Sequence, residues 1–266
     1  MKSTDQEHLD LVRERFTRTA DPFARSVQSR GQEVARMVEM ATAGYARAAR
    51  AVVLDVACGP ATFARAFAPR VAQVVGVDFT PAMLAEARRV ADEAGLANLK
   101  FACGDGYALP FADGTFDLAL CTYAFHHLLD PARVLGEMAR VIRQGGRVAL
   151  VDIVIPESAN SELHNSIERV RDLSHAKTLT DAGLRELFRA AGLRVIAAEV
   201  HAREREFDDW MRGAGWAPGS PVYAEVRQQV EASQANDSAG FAPHFDAASG
   251  ALQVMQVALS LVAEKE

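Results

Sequence analysis

Three observations predict an open α/β fold, a doubly wound, Rossmann-like sheet with helices on both faces. The stretch AVVLDVACGPATFARAF (51–67) reads as a buried strand, a tight turn and the start of a helix. A second apolar run, Val74 to Val77, closes on an acid, Asp78. Further short apolar runs alternate with stretches of helical periodicity down to Val200, the pattern of a parallel sheet with crossover helices.

In the first stretch, Ala51 to Val56 is apolar except for Asp55, and Cys58-Gly59-Pro60 turns the chain. Gly59 permits a backbone shape that a side chain would block, and Pro60 suits a first helical position. A strand, a glycine turn and a helix build a ligand site at the carboxyl ends of such a sheet. Asp78 closes the second strand 23 residues beyond Asp55, where an acid hydrogen-bonds ribose hydroxyls. A dinucleotide pyrophosphate favours G-x-G-x-x-G. Only Gly59 fits that pattern, with Ala57 and Ala61 beside it and Pro60 lacking an N–H. A nucleoside without phosphate, such as S-adenosylmethionine (SAM), fits this turn better.

The stretches VLDVACGPATFA (53–64), VVGVDFTPAMLAEAR (74–88), GDGYALPFADGTFDLALC (104–121) and FHHLLDPARVLGEMARVIRQGGRVALVD (125–152) together resemble the class I SAM-dependent methyltransferases, in the branch of the quinone-biosynthesis C-methyltransferases. The resemblance implies one domain over residues 1–266 with seven strands, mostly parallel, the last antiparallel. It implies SAM as cofactor and S-adenosylhomocysteine as product. Asp55, Ala57 and Gly59 would hold the methionine end, chiefly through backbone, Asp78 the ribose and Asp105 the adenine amino group. Phe79 and Met83 would pack on adenine, although Met83 also suits the core. Gly106 and Cys121 complete the cofactor set. An N-terminal helical lid (1–47) would fold over a core at 48–155, with Phe16, Phe23 and Arg25 as lid residues or simple anchors. Segments 156–178 and 203–250 would be insertions roofing the acceptor.

The remaining elements follow from local signals. Residues 5–47 read as helical, with a break at 17–26 around Asp21-Pro22. Thr80-Pro81 starts a helix, and Asn98 to Cys103 reads as the third strand. Phe116 to Cys121 is the fourth strand. Asp130 caps a helix with Val134, Met138 and Ile142 on one face, ended by Gly145-Gly146. Arg147 to Ile155 is nearly continuously apolar, as in a strand covered on both faces. Thr180 caps the next helix, Leu193 to Val200 is a strand, and Leu252 to Val262 is the last.

The chain has 266 residues, 49% of them apolar, and a net charge of −6. That length and composition allow a full core, and the charge argues against a nucleic-acid surface. No apolar run is long enough to span a bilayer, and the charged N-terminus lacks a signal region. A cytoplasmic protein with a small-molecule substrate is expected, with surface left for a homodimer. Cys58, Cys103 and Cys121 have neither metal nor redox spacing, so no metal site is expected and packed thiols are. His126 and His127, after the fourth strand, are the candidate general bases. His164 and His175 either reach the pocket from the insertion or are solvated, and Asp152 either orients substrate or pairs with an arginine. Two other activities share these motifs: SAM binding without methyl transfer, as a cyclase or regulatory binder, and dinucleotide-dependent oxidoreduction.

Overall fold

The computed structural model describes residues 3–26 and 31–266, with side chains described for 5–18 and 31–266. Helices α1 (Ser3–Ser26) and α2 (Gly31–Thr42) precede the sheet. Then come β1 (Val52–Val56), α3 (Thr62–Phe67), β2 (Gln73–Asp78), α4 (Pro81–Glu93), β3 (Leu99–Cys103), β4 (Phe116–Thr122), α5 (Pro131–Val141) and β5 (Ile142–Ile155). The second half holds α6 (Ser161–Arg171), a short β6 (Leu179–Thr180), α7 (Asp181–Ala190), β7 (Leu193–Glu206), α8 (Phe207–Gly213), α9 (Pro221–Ala232), a short β8 (His244–Phe245) and β9 (Leu252–Lys265).

The main sheet runs β3-β2-β1-β4-β5-β9-β7. Its strands are parallel except β9, which is antiparallel to both β5 and β7. Side-chain alternation feeds two cores, one on each face. Val53, Val74, Leu118, Leu120 and Val151 pack with α2, α3 and α4 on one face. Leu54, Val77, Ala119, Cys121 and Leu150 pack with α5 and α7 on the other. The chain goes from β1 outward through β3, then returns to β4 on the other side of β1. That reversal opens a crevice at the carboxyl ends of β1 and β4, where such sheets bind ligands.

Several local expectations need correction. Helix α1 runs through 17–26 to Ser26; one proline removes one intrahelical bond without having to end the helix. The side chains of Phe23 and Arg25 lie outside the described residues. Helix α5 stops at Val141, and Ile142 opens β5 opposite Phe116. A register shift then carries the pairing to Leu118 and Arg147, so the two glycines serve a bulge within β5 instead of a helix cap. A Cβ on Gly146 would lie 2.8 Å from the Arg143 carbonyl oxygen and 2.9 Å from that of Asp117. Strand β7 continues to Glu206 because β9 pairs with it as far as Gln253.

The segments after β5 and after β7 build a third core of their own. Ile167 of α6 meets Phe207, Trp210, Val226, Phe241, Leu252 and Val254. The Trp216 indole N–H donates to the Arg171 carbonyl at 2.7 Å, and the Arg171 guanidinium sits 4.6 Å over the Trp210 ring.

Candidate active site

A cleft opens at the carboxyl ends of β1 to β4. Its floor is the turn after β1. Ala57, Gly59 and Ala61 all have positive φ, at 54°, 51° and 61°. Alternate left-handed residues bend the chain sharply, which is why the motif is short and small. Two of the three are alanines, which bear a steric cost in this region that glycine avoids. The Cys58 amide donates to the Val77 carbonyl at 3.0 Å, and its thiol packs where a Cβ on Gly76 would lie, 2.9 Å from Sγ.

Asp78 frames this turn. Its Oδ2 accepts the Gly59 amide at 2.9 Å and its Oδ1 the Thr80 amide at 2.8 Å. Burial raises its pKa, against the pull of those amide donors. Thr80 stands at the N-cap of α4 but its side chain makes no capping bond. The Thr80 side chain also helps to hold the Asp78 pKa down, the Thr62 hydroxyl is buried without a hydrogen-bond partner, and both residues line the cleft. Asp55 is 1% exposed and is not among the residues lining the cleft; the Ala64 amide is the donor that acts on its carboxyl. Burial pushes its pKa well up, and Asp78 adds to the shift.

Asp105, Gly106 and Tyr107 form the next wall. Oδ1 of Asp105 accepts the Tyr107 amide at 2.9 Å. A Cβ on Gly106 would press on Val56 at 3.3 Å. Phe79 lines the cleft with the Arg13 guanidinium 5.4 Å over its ring. Met83 and Cys121 are buried at its inner surface, and burial holds the Cys121 thiol well above its ordinary range. Leu9, Val12, Arg13 and Phe16 of α1 close the outer side. Among the described lining residues four come from α1 and none comes from 156–250.

The two neighbouring histidines part company. His127 lines the cleft and His126 does not. The His126 ring donates from Nδ1 to Asp152 Oδ1 at 2.5 Å, and its amide donates to Oδ2 at 3.0 Å. Asp152 thus pairs with a histidine instead of an arginine. His127 Nδ1 donates to the Ser174 carbonyl at 2.9 Å. Burial, then the nearby His126, lowers its pKa well below 6.5, so the ring is neutral at pH 7. Its carbonyl accepts from His8 Nε2 at 2.8 Å, and the Phe16 ring meets it edge-on at 5.1 Å. His164 and His175 are buried and line no part of this cleft. His164 donates to the Ala239 carbonyl and stacks on Phe241; His175 donates to Asn165 Oδ1 at 2.9 Å.

The sequence reading had no place for Arg15, Asp172 or Ser174. Arg15 and Asp172 form a 2.8 Å ion pair between α1 and the turn after α6. The Asp-x-Ser spacing of 172–174 signals a local turn, but nothing local signals its partners on α1 and in the turn after β4.

Residues 54–150 match a family described as a methyltransferase domain. An uncharacterized methyltransferase of Bacillus subtilis (strain 168), YcgJ, is 31% identical over 226 residues, covering 84% of this chain and 86% of that protein. The chain belongs to the class I SAM-dependent methyltransferases. Among solved structures, a methyltransferase from Bacillus halodurans C-125 aligns with a TM-score of 0.79 at 26% identity, over 88% of this chain and 99% of that one. The Bacillus subtilis YcgJ structure aligns at 0.77 and 28% identity, over 89% and 99%. A demethylmenaquinone methyltransferase of Thermus thermophilus is 41% identical over 106 residues, 39% of this chain and 48% of its own length. That match spans less than half of either chain.

The cleft suits this family's cofactor. SAM carries an ammonium and a sulfonium, and β1 carries a buried carboxyl, Asp55, just before the turn. Thr62, Thr80, Asp78 at the β2 end and Asp105 past β3 line the cleft. No described helix is long and apolar enough to cross a membrane.

Proposed function

We propose that this protein transfers the SAM methyl group to a small, largely apolar acceptor bearing a phenolic or quinone-like ring, with His127 as general base. The observation that carries the reading is the pairing of a neutral, buried imidazole with a mostly apolar acceptor wall. Val12 and Phe16 of α1, with Tyr123 and Ala124 after β4, line the same cleft as His127, and the Phe16 ring meets the His127 ring edge-on. Such a wall excludes water and favours a flat ring over a charged acceptor. Asp78 would take the ribose hydroxyls, Asp105 and Phe79 the adenine, and the backbone of Ala57 and Gly59, with Asp55 behind, the methionine end. SAM, when bound, supplies an electrophilic methyl group.

The protein's own residues then align and exclude water, worth roughly 7–11 kcal/mol for a well-oriented pair. His127 takes the acceptor's hydroxyl proton as the bond to the methyl carbon forms and the C–S electron pair stays on sulfur. A protein that only bound SAM would have no use for a base at the acceptor wall.

The test is thermal unfolding with S-adenosylhomocysteine, with NADH as control. Ligand at a hundred times its dissociation constant stabilises by about 2.7 kcal/mol. An upward shift lost in Asp78→Ala supports the cofactor assignment. A shift with NADH instead would sink it. Formation of S-adenosylhomocysteine over a panel of phenols and quinols, lost in His127→Asn, then tests the transfer.

A further inference from the structure

His127 does not stand alone at the cleft. Its ring is wired through the turn after α6 to the helix that covers the site. Ser174 presents two oxygens to His127 Nδ1, its carbonyl at 2.9 Å and its hydroxyl at 3.1 Å. That hydroxyl donates to Asp172 Oδ1 at 2.7 Å, and the Ser174 amide donates to the same oxygen at 3.0 Å. The other oxygen of Asp172 meets the Arg15 guanidinium at 2.8 Å. Arg15 also reaches the carbonyls of Gly213 and Ala214.

Donor and acceptor counting makes this chain directional. A carbonyl only accepts, so the Ser174 carbonyl requires the proton of His127 on Nδ1. The Ser174 hydroxyl has already given its proton to Asp172, so toward His127 it too can only accept. Both constraints leave Nε2 of the neutral ring bare.

We propose that Ser174 and Asp172 are positioning residues that hold His127 with its proton on Nδ1 and Nε2 open to the cleft, and that Arg15, delivered by α1, sets the strength of this base. The proposal rests on the reading of His127 as the base. When an acceptor hydroxyl gives its proton to Nε2, the electron pair of its O–H bond stays with the acceptor and attacks the methyl carbon. The C–S pair remains on sulfur, which becomes a neutral thioether. The imidazolium so formed is stabilised at Nδ1 by two oxygens and, one link further, by the Asp172 carboxylate. Arg15 partly neutralises that carboxylate, so seating α1 over the cleft weakens the base as it closes the site.

The charges facing His127 come from every element around it. The His126 ring lies 4.1 Å away, itself bonded to Asp152 and 5.9 Å from the His175 ring. His8 of α1 bonds the His127 carbonyl. Burial alone would raise the Asp172 pKa; His127, Arg15 and Arg171 together hold it well below the ordinary carboxylate range. Asp172 therefore stays ionised throughout the working range.

Long-range proton–nitrogen correlation spectra of the protein labelled with nitrogen-15 histidine read the tautomer and titration of each ring. The expected result is a neutral His127 with its proton on Nδ1. Its titration midpoint should move down in Ser174→Ala and up in Arg15→Gln, by about half a unit or more each, and Ser174→Thr should restore it. A proton on Nε2 in the wild-type protein, or a midpoint unmoved in both variants, would overturn the proposal. Should Arg15→Gln fail to fold, the Ser174 pair carries the test, because Ser174→Ala keeps the carbonyl and the ion pair. The S-adenosylhomocysteine thermal shift on the same samples separates the two ideas: its absence removes the methyl-transfer reading and leaves the tautomer result standing.

Discussion

The Asp78 carboxylate binds the turn it faces, with Oδ2 2.9 Å from the amide of Gly59. One side chain therefore both shapes the floor of the cleft and stands where the ribose is expected. Asp78→Ala should cost stability even without ligand, because the Gly59 and Thr80 amides lose their acceptor. About 1–3 kcal/mol is expected for leaving such groups unpaired, a fall of some 2–4 °C in Tm per kcal/mol. A scan of the free protein checks this; an unchanged Tm would reduce Asp78 to a ligand contact.

Asp55 shows the opposite balance. Its carboxyl is buried, and burial raises its pKa well above 3.8 against the pull of the Ala64 amide. A carboxyl whose folded pKa is raised favours the folded state below the unfolded pKa, and that contribution is lost as pH rises through the folded pKa. At neutral pH the buried Asp55 carboxyl is thus a destabilising group in the free protein. Asp55→Asn should raise the Tm of the free protein by a few degrees, on the order of 1 kcal/mol. It should also shrink the stabilisation by SAM, whose cationic groups the carboxylate offsets. Paired scans with and without ligand would show both changes, in opposite directions.

Ala57 and Ala61 hold left-handed backbone at φ 54° and 61°. A non-glycine residue there costs roughly 1–2 kcal/mol, against the ~0.4–1 kcal/mol that glycine adds to the freedom of the unfolded chain. Ala57→Gly and Ala61→Gly should each stabilise by about 0.5–1 kcal/mol, read as an increase in urea midpoint at unchanged slope. A loss of stability in both would mean that the methyl groups contribute more by packing than the backbone gains.

His175 gives the fold an acid-sensitive point. Burial lowers its pKa from 6.5 to about 4. A histidine whose folded pKa is depressed contributes stability that is present above pH 6.5 and is lost as pH falls through that window toward 4. The difference corresponds to roughly 3 kcal/mol at most. His175→Gln keeps a donor for Asn165 Oδ1 and cannot take up the proton. Its stability should change less between pH 6.5 and 4 than that of the parent; equal slopes in urea titrations would rule the site out as the sensor.

The local geometry of the strand ends that line the cleft was legible in the sequence. A short apolar strand must be followed by small residues to turn this tightly, and Asp55, Gly59, Asp78 and Asp105 lie within a few residues of the strand ends that carry them. Their proximity follows from strand–turn–helix geometry and the handedness of parallel crossovers. The same local logic erred at Ile142, where helical spacing continues past Val141 but pairing with Phe116 draws the residue into β5.

The histidine side of the cleft was decided by tertiary structure. His126 and His127 are sequence neighbours with one chemistry, and only the positions of Asp152 and Ser174 separate a ring tied beneath the site from a ring that lines it. Arg15 meets Asp172 across most of the length of the chain. A periodicity cannot encode such a meeting, because it depends on where α1 and the turn after α6 dock. Sequence alone determined the fold class and the strand ends and turns that line the cleft, through rules that act over a few residues. Which histidine lines the cleft, what its Nδ1 bonds and which helix lines the outer side arose from packing between elements far apart in the chain.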